Sequence, residues 1–254
     1  MDRTIIESPI PISSVAWDWS LSHEPQIQES NEPLVASNFY PERIINSPEY
    51  FNQGIDGTLM SIYVRQSVYD KLINAATLLP EGYKFVLFDV WRSNEAQQSL
   101  FDILKNKLSK QYPDLSQPAL LKRVLTTVAP PSDDIINKPS PHNTGGAVDL
   151  EIIDQTGHPL KFGTPFDDHT EVARTSYFEE KLSHGNQLTS DEEMILQNRR
   201  LLYNIMTEVG FTNYTDEWWH YDYGNQNWAW KSGAPYAIYG SIRPTFTWQD
   251  PLIS

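Results

Sequence analysis

Not one of the 254 residues is cysteine. That absence removes disulfide staples, so stability has to come from a buried apolar core, which a chain of this length can supply. It also removes the Cys nucleophile, the iron–sulfur cluster and the cysteine-type zinc site. A transition metal here can be held only by the six histidines and by carboxylates. Acids outnumber bases by 33 to 19, for a net charge of −14. A binder that tracks nucleic-acid phosphates needs the opposite balance, so no nucleic-acid partner is expected. No apolar run approaches the roughly 20 residues of a membrane-spanning helix, and no membrane partner is expected either. Glu7 and Pro9 stand where an export signal would carry its apolar segment, which points to a cytoplasmic protein.

Residues 1–33 carry Pro9, Pro11, Pro25 and Pro33 without periodicity and read as an irregular arm, pinned to the body by Trp17 and Trp19. Val68, Tyr69, Leu72, Ile73, Ala76 and Leu79 recur at helical spacing up to Pro80. Tyr83 to Val90 reads as the best strand. Ser93 caps a helix with the stripe Ala96, Leu100, Phe101, Leu104 and Leu108. A further helix, interrupted by Pro118, takes in Leu120, Leu121, Val124 and Leu125.

Over Ala147–Ile153 the pattern alternates: Val148, Leu150 and Ile152 share one face, and Ala147, Asp149 and Glu151 the other. Residues 157–190 read as loop-rich. Ser190-Asp-Glu-Glu193 reads as a capping box opening a helix that Gly210 ends. From Gly224 to Ser254 the chain is aromatic and Pro-punctuated. Helices and short strands do not alternate regularly, which predicts an α+β fold with a small, mainly antiparallel sheet flanked by helices.

Two segments carry unusual chemistry. In Ser140-Pro-His-Asn-Thr-Gly-Gly-Ala-Val-Asp149, a loop histidine precedes a strand aspartate by seven residues, with Gly145 and Gly146 available for the turn. Either the two share a metal ion, or this is a loop histidine beside an ordinary strand. In Asp216-Glu-Trp-Trp-His-Tyr-Asp222, a tight turn into a strand would set Glu217 near a metal-bound His220. The alternative is an aromatic strand packed through Trp218, Trp219, Tyr221 and Tyr223.

Together His142, Asp149 and His220 offer three N/O ligands, the number a catalytic zinc takes while keeping a position open. Glu217 is then the candidate general base, and Arg92 the candidate partner of the developing oxyanion. A surface salt bridge is the plainer role for Arg92. Asp167, after a Gly/Pro turn, either binds a substrate ammonium or caps its turn.

With those motifs in order, the sequence resembles the zinc D-alanyl-D-alanine dipeptidases. Asp89-Val-Trp-Arg92 resembles their Asp-x-Tyr-Arg segment, and Ser140-Pro-His142 to Asp149 their Ser-x-His-x6-Asp motif. Phe162-Gly-Thr-Pro-Phe-Asp167 is similar to their Gly-x-x-Phe-Asp turn, and Glu217-Trp-Trp-His220-Tyr to their Glu-Trp-Trp-His-Tyr signature. Trp91 stands where the family has Tyr, Ser93 where it has Pro, and Pro141 where it has a small residue.

The resemblance covers residues 34–223 and implies a dipeptidase domain there, between the arm and an aromatic extension, 224–254, packed on the same domain. It implies the small zinc-peptidase fold shared with murein DD-carboxypeptidases and hedgehog-type domains, and one Zn2+ per chain on His142, Asp149 and His220. It further implies Glu217 as catalytic acid/base, Arg92 as stabiliser of the tetrahedral intermediate, Asp167 as receiver of the dipeptide's amino group, and Ser140 and Asp89 at the pocket. The implied activity is hydrolysis of D-alanyl-D-alanine or a close D,D-dipeptide in cell-wall (peptidoglycan) metabolism. The alternatives are a murein-peptide carboxypeptidase or endopeptidase, and a non-catalytic zinc-stabilised binding module using Trp218 and Trp219 as a platform.

Overall fold

The computed structural model describes residues 7–13, 16–125 and 128–245; the remaining parts of the expected arm and extension lie outside the described residues. The centre is a five-stranded sheet in the order β2 (Ile44–Asn46), β4 (Lys84–Asp89), β5 (Ala147–Ile153), β7 (His220–Asp222), β6 (Thr212–Asn213). Only β2 and β4 run parallel; every other pair is antiparallel, as the mixed element pattern predicts. A two-stranded ribbon, β1 (Leu34–Ala36) with β3 (Tyr63–Arg65), lies apart from that sheet.

β4 is apolar on both faces because both are covered. Phe85 and Leu87 join Val148, Leu150 and Ile152 in the main core, while Val86 and Phe88 form a second cluster with Ile153. The main core is closed by α3 (Gln66–Thr77), through Val68, Leu72, Ala75 and Ala76, and by α7 (Ser190–Glu208), through Leu201, Leu202, Ile205 and Met206. Two short helices precede these, α1 (Trp19–Ser22) and α2 (Glu49–Asn52). α4 (Asn94–Gln111) starts as expected, with the Ser93 hydroxyl accepting from the Ala96 amide at 2.9 Å.

Several boundaries differ from the sequence reading. Pro118 does not interrupt a helix: it sits in the first turn of α5 (Gln117–Leu125), where a missing N–H costs nothing. The capping box of α7 is Thr189 with Glu192, one residue earlier than the Ser190 frame. The loop-rich stretch contains α6 (Tyr177–Ser183), and the aromatic tail contains α8 (Gln226–Ser232). Trp17 does pack as a pin, its ring centroid 4.9 Å from both Tyr214 and Trp230. Arm and tail also pair with each other, through Gln28 N to Ala237 O and Ala237 N to Gln26 O, both 2.8 Å.

Candidate metal centre

The site is assembled by strand register. Asp149 faces away from Val148 and Leu150 and pairs across β5–β7 with His220. On the other side, a bulge between Leu87 and Asp89 breaks the ladder, so that Asp89 instead of Phe88 comes opposite Asp149. Asp89, Asp149 and His220 thus form a row across three neighbouring strands.

His142 arrives from a 3-10 turn, Pro141–Thr144, closed by Gly145 in the left-handed region at φ 70°. Its Nδ1 is 2.8 Å from the Val90 carbonyl. A carbonyl only accepts, so Nδ1 carries the proton and Nε2 is left with its lone pair, 3.3 Å from Asp149 Oδ2. His220 Nδ1 lies 3.0 Å from Asp149 Oδ1 and 3.8 Å from Glu217 Oε2. Ligand atoms of His142, Asp149 and His220 all fall within 4.8 Å of one another, and all three residues are buried. The sequence alternatives of an isolated loop histidine and of a purely packed aromatic strand are therefore set aside.

The electrostatics fit a cation. Burial pushes Asp89 up to about 6, against the pull of Arg92, and pushes Glu217 up to about 8, against the pull of His220. Burial also raises Asp149, with His220 and Arg92 opposing. Three carboxyls crowded at a largely buried site would be drawn back to their ionised form by a divalent ion. Burial, with Arg92 and His220 beside it, holds His142 well below the usual imidazole range, which keeps it the neutral ligand a metal needs. Two imidazole nitrogens and a carboxylate oxygen, without thiolate, are a donor set suited to zinc.

Arg92 is no surface ion pair. Its side chain is largely buried, with Nε 3.3 Å from Asp89 Oδ2 and the guanidinium 5.2 Å above the Tyr50 ring. Its backbone is tied to the metal loop, by Arg92 N to His142 O at 3.2 Å and Asn143 Nδ2 to Arg92 O at 3.0 Å. Arg92 and Asp89 also line a small solvent-connected cavity of about 20 Å3 with Tyr50 and Trp91.

Asp167 is exposed and holds φ 64°, an uncommon conformation for a residue with a Cβ. It is Asp168, not Asp167, that caps the turn by accepting from Thr170 N at 2.8 Å. The Asp167 carboxylate, 3.9 Å from His169 Nε2, is felt at Asp89, Asp149 and Glu217. Its loop is fastened by Arg199, buried in α7, which donates to the carbonyls of Phe162 (2.8 Å), Val172 (2.7 Å) and Arg174 (2.6 Å). Ser140 stands at the N-terminal end of the His142 turn. Its carbonyl accepts from Asn143 N at 3.0 Å, and its hydroxyl makes no hydrogen bond among the described residues.

Tyr50, Arg199 and Asp222 were not visible as site residues in the sequence. For Asp222 a signal existed, since a strand period of two puts it on the face of His220. Trp218 and Trp219 cannot serve as a binding platform: they are 2 % and 1 % exposed, and Trp218 stacks on Phe162 at 4.2 Å. Trp91, in the place of the usual Tyr, donates its indole N–H to the Ile242 carbonyl at 2.7 Å and so anchors the tail beside the site.

A buried His-Asp-His cluster with an acid at its edge, on an α+β fold, is the arrangement of a metal-dependent hydrolase. The chain belongs to the D-ala-D-ala dipeptidase family, peptidase M15, whose model matches residues 58–236. It is 27 % identical over 216 residues to the D-alanyl-D-alanine dipeptidase of Synechocystis sp., covering 81 % of this chain and 87 % of that protein. It is 29 % identical over 147 residues to the D-alanyl-D-alanine dipeptidase of Enterococcus faecium, covering 56 % and 62 %. Over 152 residues it is 29 % identical to that of Escherichia coli K12, covering 60 % of each. Among solved structures, the LD-carboxypeptidase LdcB aligns with a TM-score of 0.41 at 18 % identity, covering 80 % of this chain and 72 % of that one.

Proposed function

We propose that this chain hydrolyses D-alanyl-D-alanine, or a closely related D,D-dipeptide of peptidoglycan metabolism, using one zinc ion held by His142, Asp149 and His220. The observation that carries the reading is the placement of Glu217 beside that buried cluster, 3.8 Å from a His220 nitrogen that faces Asp149. A purely structural metal site has no use for an acid at that edge. The relatives named as D-alanyl-D-alanine dipeptidases support the choice of substrate.

Zinc, when bound, supplies Lewis-acid polarisation of the scissile carbonyl and lowers the pKa of water. Glu217 takes the proton of the attacking water and hands it to the leaving amine, a role that needs a carboxylate of raised basicity. Arg92 keeps its charge: a guanidinium does not deprotonate in a protein, and the Asp89 carboxylate beside it opposes the effect of burial. It therefore presents a fixed cation to the oxygen on which negative charge develops. Asp167, with its carboxylate uncommitted to the turn, receives the substrate's ammonium group and selects a free amino terminus.

Glu217→Gln tests this. Zinc content should be retained while turnover of D-alanyl-D-alanine falls about 100- to 10,000-fold. Wild-type turnover in that variant, or full turnover after chelation and dialysis, overturns the reading. N-acetylation of the dipeptide should abolish cleavage; equal cleavage of the blocked substrate assigns the chain to murein-peptide carboxypeptidases instead.

A further inference from the structure

Behind His220, on the side away from Asp149, stands a second carboxylate. Asp222 lies two residues on along β7 and so shares the face of His220. Its cross-strand neighbours are Ala147 and Thr212, whose short side chains leave room for it, and it is wholly buried. Its Oδ2 lies 3.2 Å from His220 Nε2, within ion-pair distance, and this buried nitrogen has no hydrogen-bond partner among the described residues, so Asp222 is the acceptor nearest to it.

Two further donors converge on Asp222 from the start of the C-terminal extension. Asn225 Nδ2 donates to Oδ1 at 2.6 Å, and Asn227 Nδ2 to Oδ2 at 3.3 Å. The orientation of the Asn225 amide is forced, because its Oδ1 is occupied by the Trp228 amide at 3.0 Å as the cap of α8. Asp222 thereby accepts from two amide N–H groups while facing the His220 ring nitrogen, and a side chain with acceptors alone suits all three neighbours. His220 Nδ1 is itself in hydrogen-bond contact with Asp149 Oδ1 at 3.0 Å, so a cation shared by His220 and Asp149 would need the lone pair of Nδ1 and would leave the ring proton on Nε2, toward Asp222.

We infer that Asp222, held by Asn225 and Asn227, is the positioning residue that fixes the tautomer and ring orientation of His220 for metal binding. The extension after Gly224 then serves the metal site directly, by clamping the carboxylate behind one of its ligands. Carboxylates placed behind a ligating histidine raise its basicity and hold its ring, and their loss costs metal affinity without removing a ligand.

The inference rests on the metal-site reading, and the test separates the two. Asp222→Leu keeps the side-chain shape without any acceptor; Asp222→Asn keeps one acceptor oxygen but adds a donor where three already meet. Zinc affinity is measured by chelator competition on protein shown to be folded by the unfolding temperature of the metal-free form. Asp222→Leu should raise the zinc dissociation constant about 10- to 100-fold, with Asp222→Asn in between. Asn227→Ala, which removes one donor, should raise it less and covers the case in which Asp222→Leu fails to fold.

The second readout is the His220 ring in 15N-histidine NMR spectra of the zinc-loaded protein. A protected Nε2–H resonance is expected in the wild type, and its loss or displacement in the Asp222 variants. Folded variants that bind zinc within about twofold of wild type, or an unchanged ring resonance, overturn the role of Asp222 and leave the dipeptidase reading standing. A wild-type chain that binds no zinc overturns both.

Discussion

Gly146 tests how closely the metal site depends on strand contact. It lies between the His142 turn and β5, and its φ is not in the left-handed region, so alanine is conformationally allowed there. The obstacle is steric. An added Cβ would stand 2.4 Å from the Tyr223 carbonyl and 3.1 Å from both Thr144 Oγ1 and the Tyr239 ring. Reaching an ordinary contact of 3.4 Å requires the end of β5 and the residue after β7 to part by about 1 Å.

The same backbone carries the 2.8 Å bond from Tyr223 N to Gly146 O, and the next pairs along the ladder are Ala147 with Asp222, Val148 with Tyr221 and Asp149 with His220. Overpacking of this kind costs about 2–3 kcal/mol, which for a chain of this size lowers Tm by roughly 4–12 °C. Gly146→Ala should therefore unfold earlier in a thermal melt and bind zinc more weakly, because Asp149 and His220 no longer keep register. Unchanged melting and unchanged zinc affinity would refute the idea that this contact sets the site.

Two further outcomes follow from residues away from the metal. Arg199→Met strips three carbonyls of their donor while removing a buried cation, for a net cost of about 2–4 kcal/mol. Since those carbonyls bracket the Asp167 loop, KM for the dipeptide should rise more than kcat falls, with zinc affinity unchanged; a kcat effect alone would contradict this. Burial by itself would raise the Glu32 carboxyl, but bonds from Ser67 N, Ser67 Oγ and the Tyr239 hydroxyl outweigh it and hold it below the ordinary 4.5. Its stabilisation is present above that value and is lost as pH falls through the lowered one. Glu32→Gln should cost about 1 kcal/mol in urea unfolding at pH 7, with the gap closing at acid pH; a gap independent of pH would contradict the assignment.

Much of the site was legible residue by residue. With no cysteine, the ligands had to be histidine and carboxylate, and the alternation over Ala147–Ile153 already turned Asp149 away from the core. The expected Arg92 and Glu217 do lie beside the metal ligands. The alternative of Trp218 and Trp219 as a binding platform does not match their burial. An indole's burial depends on what the rest of the chain brings to it.

Sequence alone determined the periodic elements and the kinds of donor a metal could find here, because both follow from local spacing and side-chain chemistry. Tertiary structure decided what joins them. The bulge that sets Asp89 opposite Asp149, and the pairing of Asp149 with His220 across 71 residues, are products of strand register. Tail packing, not local spacing, likewise brings Ile242 onto Trp91 across 151 residues. Register is settled by the packing of a whole sheet face, and so leaves no mark in any single stretch of chain.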